Sequence, residues 1–197
     1  MISLSFSQVV GPFANNSEQL FGDYASNVLP EFTKTPYEGL KALGKTASMA
    51  SGCDDTKCAS YNWEDVEKAV RDANLVIVCL GTGQAVESEG HDRADLNLPG
   101  KQLQLLQDAV YFRELRAPVI LLLFNAGPLD ITWAKLSEHV AAIMECFFPA
   151  QATGEALFNV LTMADKYSSP GGRLPATWPA FIDQVSTGRS KSCHLVE

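Results

Sequence analysis

Positive charge is what this chain has least of: 15 Lys and Arg stand against 23 Asp and Glu, a formal net charge of -8. Phosphate backbones and anionic bilayers are held by clustered Lys and Arg, so the balance argues against a nucleic-acid or acidic-membrane partner. Long apolar runs are missing as well. About 18 consecutive apolar residues are needed to span a bilayer, and no stretch approaches that, so no membrane partner is expected. Met1 to Val10 has neither a basic start nor a small-residue cleavage site, and does not read as a signal peptide. The three histidines, 91, 139 and 194, are scattered, and no second cysteine pair stands at ligand spacing; no metal and no cofactor is expected. Gly81-Thr82-Gly83 lacks the third glycine of a dinucleotide-binding turn, and the carboxylates that follow would repel a pyrophosphate. No Gly-x-Ser-x-Gly elbow is present, which argues against a serine hydrolase of that kind.

Cysteine is present in an odd number, five, at positions 53, 58, 79, 146 and 193, which leaves one unpaired in any full disulfide scheme and the compartment open. Cys79 and Cys146 lie in apolar runs and read as small buried hydrophobes. Cys53 and Cys58 bracket a polar segment; a short-range disulfide and two free thiols are both compatible with that spacing.

What the chain does have is core material. At 197 residues and 46% hydrophobic it can bury one sizeable core, so a single domain over 1–180 is expected, followed by a polar tail, 181–197, expected to be poorly ordered. Strand-like and helix-like patterns alternate: strands at Gln8 to Val10, Thr46 to Ala50, Leu75 to Leu80, Pro118 to Phe124 and Val140 to Met144. Helices are expected at Thr35 to Leu43 with Thr35 as cap, at Trp63 to Asp72 capped by Asn62, from Pro99 along Leu103, Leu106 and Val110, and at Thr153 to Leu161. This is the pattern of βα units around a largely parallel sheet. Trp63, Trp133 and Trp178 are expected in the core rather than on a sugar-stacking surface, and His91 as a surface hydrogen-bonding group.

Chemistry concentrates in one place. Glu87, Glu89, Asp92 and Asp95 crowd into the loop that follows the most apolar strand, with Arg93 among them and Leu98-Pro99-Gly100 closing it. An α/β fold presents reactive side chains from loops at the carboxyl ends of its strands, because the strand fixes the loop's root.

A set of short motifs in consistent order gives the chain a family likeness. Gly11-Pro12 with Asn15-Asn16 and Gly22-Asp23-Tyr24, Thr35-Pro36 with Glu38-Gly39-Leu40, and Glu89 to Arg93 resemble the C-terminal sandwich domain of glycoside hydrolase family 3. Leu98-Pro99-Gly100 with Gln102, Gly127-Pro128 with Asp130, Trp133-Ala134, and Gly172-Arg173-Leu174-Pro175 with Thr177-Trp178 continue the likeness to Pro179. Ser51-Gly52-Cys53 and the 84–93 loop resemble its β-xylosidase-like branch.

The resemblance implies a three-layer α/β/α sandwich with a six-stranded, mostly parallel sheet. It also implies a β-linked saccharide substrate, a retaining β-glycosidase activity of β-xylosidase or β-glucosidase type, and extracellular or lysosomal placement. The nucleophilic Asp would come from a (β/α)8 barrel domain, in cis or in trans, which does not fit in this length. Glu89 maps to the general acid/base, with Glu87 as its rival; Asp92 and Arg93 are expected to pair and brace the loop. Ala150 and Thr153 stand where the family has glycine, so the backbone is expected to differ there. The alternative function is a non-catalytic carbohydrate-binding or protein-interaction domain derived from such an enzyme.

Overall fold

The computed structural model describes residues 4–112, 117–179 and 184; the proposed tail at 181–197 and Cys193 fall almost wholly outside them. Five strands form one sheet: β1 (Leu4–Val10), β2 (Gly44–Ala50), β3 (Leu75–Gly81), β4 (Val119–Phe124) and β5 (Val140–Glu145). Their order is β2-β1-β3-β4-β5 and every pairing is parallel. Parallel neighbours need crossovers, and helices supply them: α1 (Pro36–Leu40), α2 (Trp63–Val70), α3 (Gln102–Tyr111) and α4 (Thr132–Leu136), with α5 (Thr153–Thr162) after the last strand. The class is the three-layer α/β sandwich the sequence implies, with five strands among the described residues where the family resemblance implies six.

Alternation along the strands decides which helix covers which face. Val76, Val78 and Leu80 of β3, with Val119, Leu121 and Leu123 of β4, pack under α2, α3 and α4 through Val66, Val70, Leu105, Leu106, Ala109 and Ala134. Leu75, Ile77 and Cys79, with Leu122 and Phe124, form the core on the opposite face under Leu40 of α1 and Leu157 of α5. Every residue of β3 is buried, as its unbroken apolar run requires when both faces are covered.

The helix signals hold at the starts of α1, α2 and α5, while α3 begins at Gln102 rather than at Pro99. Thr35 and Glu38 form a reciprocal capping box at α1, and Asn62 accepts from the Asp65 N–H at α2. Two readings need correction. The inward stripe of α3 is Gln102, Leu105, Leu106, Ala109 and Val110, while Leu103 points outward. The spacing was obscured because its first inward position is an amide: fully buried Gln102 accepts from the Gly81 N–H at 2.9 Å and donates to the carbonyls of Gly81 at 2.8 Å and Thr56 at 2.6 Å. Trp63 is 47% exposed rather than core, its ring leaning on Phe112, whereas Trp133 and Trp178 pack against the core as expected. Cys53 and Cys58 are joined by a disulfide, which resolves the open pairing.

The strand order has a functional consequence. From β1 the chain turns towards one edge of the sheet, and from β3 towards the other, so the loops after these adjacent strands part at the carboxyl rim, the switch point at which open α/β sheets place their ligands.

Candidate active site

The acidic loop rises from this switch point, rooted at the end of β3. A Cβ on Gly81 would lie 1.8 Å from the Phe124 carbonyl, so only glycine lets the strand end sit this close to β4. Thr82, fully buried, donates its backbone N–H to the Phe124 carbonyl at 3.1 Å and its hydroxyl to Glu87 Oε1 at 2.6 Å. Arg93 Nε donates to Glu87 Oε2 at 2.7 Å, and Arg93 Nη2 to the Pro128 carbonyl at 2.9 Å. The Ala126 N–H donates to Glu87 Oε1 at 3.3 Å. With side-chain exposures of 11% for Arg93 and 17% for Glu87, this pair is shielded from water and ties the loop to the turn after β4. Leu96 and Leu98, both buried, pin the loop's far end.

Electrostatics separate the carboxylates. Burial alone would raise the Glu87 carboxyl, but hydrogen bonds from Thr82 and Arg93, the charge of Arg93 and the Ala126 N–H more than offset it, and the group titrates below the usual range. Glu87 is held ionised. Arg93 therefore braces the loop through Glu87, and not through Asp92 as the sequence reading had it; Asp92 is exposed.

Glu89 sits differently. Ser88 and His91 exchange backbone hydrogen bonds of 3.1 and 2.9 Å across a tight hairpin turn, and Glu89 and Gly90 form its tip. Gly90 has φ 72°, the positive value a type II turn needs at its third position, and nothing lies within 4 Å of where its Cβ would be. The Glu89 side chain is exposed at the summit, its backbone N–H bonded to Asp23 Oδ2. A hydrogen bond to Glu89, then burial and the Asp23 charge, raise the Tyr24 phenol above its ordinary value. Asp23 and Tyr24 belong to the loop after β1, so the two loops that part at the switch point touch again around Glu89. Both belong to the family-like motif Gly22-Asp23-Tyr24, and no local pattern in the sequence places that motif here.

A second acid stands on this rim, outside the acidic loop. Glu145 ends β5, its Oε1 accepting the Phe147 N–H at 2.8 Å and its Oε2 accepting from Asn125 Nδ2 at 3.3 Å. Burial pushes its carboxyl up to about 7, against the opposing hydrogen bonds from Phe147 and Asn125. Asn125 is itself fully buried and donates to the Gly127 carbonyl at 2.8 Å, inside the turn that Arg93 and Glu87 grip. An acid closing an otherwise apolar run was the available signal.

Of the two positions where glycine is replaced, Thr153 is right-handed helical and Ala150 adopts φ 63°, a left-handed value without glycine that Phe147, at φ 54°, shares.

The sequence of residues 5–194 matches the model of the glycosyl hydrolase family 3 C-terminal domain. The chain belongs to glycoside hydrolase family 3. It is 34% identical over 179 residues to a β-xylosidase/α-L-arabinofuranosidase of Medicago sativa subsp. varia, covering 90% of this chain and 22% of that one. It is 36% identical over 171 residues to β-D-xylosidase 1 of Arabidopsis thaliana, covering 86% and 21%. Among solved structures, a family 3 exo-β-xylosidase in complex with a xylobiose aziridine activity-based probe superimposes with a TM-score of 0.74 at 27% identity, over 83% of this chain and 21% of that one. A β-glucosidase of Listeria innocua in complex with glucose shares the fold, with a TM-score of 0.77 at 24% identity over 96% and 26%. The chain thus spans about a fifth of the length of these curated relatives, 22% and 21%.

Proposed function

We propose that this family 3 domain supplies the general acid/base, Glu89, to a retaining β-glycosidase of the β-xylosidase or β-glucosidase type. A (β/α)8 barrel domain, in cis or in trans, carries the nucleophilic Asp. The observation that carries this reading is the contrast between two carboxylates two positions apart. Glu87 is locked, ionised and spent on holding the loop. Glu89 is exposed at a turn tip on the carboxyl rim, bonded to the exposed Tyr24 hydroxyl.

A retaining mechanism needs two carboxyl groups about 5 to 5.5 Å apart across the scissile bond, one attacking the anomeric carbon while the other protonates the leaving oxygen and later deprotonates water. A covering domain removes water from around the donor, which favours its neutral form. Exposed apolar side chains on the loop after β1 support such a cover: Tyr24, beside the hairpin, and Leu29 and Phe32, further along the loop, are 84%, 51% and 67% exposed. The altered turn at Ala150 favours the second reading, a non-catalytic descendant that binds carbohydrate or protein.

The test is complementation by a barrel domain from a β-xylosidase relative, fused or mixed, with Glu89→Gln beside the unaltered chain. Turnover of xylobiose is expected with the unaltered chain and a loss of about 100-fold or more with Glu89→Gln. The loss should shrink on an aryl xyloside whose leaving group departs without a proton. Equal turnover by both chains on xylobiose rules Glu89 out, and a loss confined to Glu87→Gln reassigns the role.

A further inference from the structure

We propose that the cleft at the carboxyl end of β2 binds a neutral saccharide stacked on Trp63. The cleft is shallow and open, with about 620 Å³ of space between Ser51 to Asp54 on one wall and Ser60 to Asp65 on the other. That volume falls in the range of small-ligand sites.

Its walls are fixed before any ligand arrives. The Cys53–Cys58 disulfide closes one wall, Cys53 pairs with Tyr61 in an antiparallel bridge, and the Asn62 N–H donates to the Gly52 carbonyl at 2.8 Å. Tyr61 donates its hydroxyl to Asp108 at 2.9 Å, which sets its ring. Trp63 presents an indole 47% exposed, and Phe112, 6.1 Å away between ring centroids, backs it. Little side-chain ordering therefore remains to oppose binding.

The lining selects the ligand class. Neither Lys, Arg nor His lines the cleft, so an anion finds no counter-charge. Among the described residues no group of three His, Cys, Asp or Glu is set to hold a metal. Asp54 already accepts backbone N–H groups of Asp55 and Ser60, and Asp65 accepts from Asn62. What remains is an aromatic face beside hydroxyls and carboxylate oxygens. A sugar ring matches both: its C–H face carries slight positive charge that meets the negative face of indole, and its hydroxyls donate to the acids.

Choosing a xylan fragment as probe rests on the proposed function; the cleft and its lining do not. The experiment is a titration of the isolated chain with xylotetraose to about 20 mM, followed by amide and indole N–H chemical shifts. Saturable shifts confined to residues 51–65 and the Trp63 indole are expected. Trp63→Ala should weaken binding by about tenfold or more, and Glu64→Ala, at an exposed position, by several-fold. Glu89→Gln should bind as the unaltered chain does, which keeps this test separate from that of the catalytic role. Absence of shifts, shifts centred on the 88–91 hairpin, or affinity unchanged in Trp63→Ala overturns the proposal. If Trp63→Ala loses its native spectrum, unchanged affinity in Glu64→Ala overturns it instead.

Discussion

Glu145 makes stability depend on pH in a direction opposite to most carboxylates. Its acid form is favoured by the fold, so the folded chain holds a proton there that the unfolded chain releases near 4.5. The folded value is raised; stability is therefore undiminished below about 4.5 and falls as pH climbs through the window to about 7. A rise from 4.5 to about 7, at about 1.4 kcal/mol for each pH unit, sets a ceiling of about 3 kcal/mol. The carboxyl keeps part of its solvent contact, so screening reduces the expected loss to about 2 kcal/mol. Glu145→Gln keeps the shape, never ionises, and can still accept from Phe147. Urea unfolding of both chains from about pH 4 to about pH 8 isolates the effect as their difference, since all other titrating groups cancel. The variant should match the original at the acid end and exceed it by about 2 kcal/mol at the basic end. Parallel curves, with a constant offset across the whole range, would refute the reasoning.

Other substitutions address the strained and braced positions. Ala150→Gly should raise stability by about 0.5–1 kcal/mol in thermal unfolding, because glycine relieves the left-handed backbone at φ 63° while losing part of that gain to unfolded-state entropy. Gly90→Ala should cost about 1 kcal/mol from backbone strain alone, since no atom stands within 4 Å of the added methyl. Arg93→Ala should cost about 2 kcal/mol, and the double variant with Glu87→Ala should cost less than the two single losses added, the coupling a double-mutant cycle reads. Replacing both Cys53 and Cys58 by serine, which opens a loop of sequence separation 5, should cost about 2 kcal/mol in urea unfolding.

Much of this was legible in the residues because the signals are local. An unbroken apolar run marks β3 as buried on both faces, and Thr35 with Pro36 or Asn62 before an acidic turn marks a helix start at the residue where it occurs. Illegible features are those that depend on what lies across space. Gln102 looks like a surface residue until the end of β3 and the disulfide loop are brought against it. Trp63 follows the inward spacing of its helix yet occupies the first position, where the ring can lean on Phe112 and stay half in water. Arg93 has acids on both sides in sequence, and only the fold of the loop chooses Glu87 as its partner over the adjacent Asp92.

That choice divides labour along the carboxyl rim. A hydrogen-bonded path runs from Thr82 through Glu87 and Arg93 to the Pro128 carbonyl, and from the Gly127 carbonyl through Asn125 to Glu145, joining the ends of β3, β4 and β5. The hairpin that lifts Glu89 stands on this path and takes no side-chain support from it. The role proposed for Glu89 needs a rigid base beneath an accessible side chain, since precision comes from the elements that hold the loop. Glu145 stands at the far end of the path, where Asn125 links it to the Gly127 carbonyl of the turn that Arg93 holds at the Pro128 carbonyl.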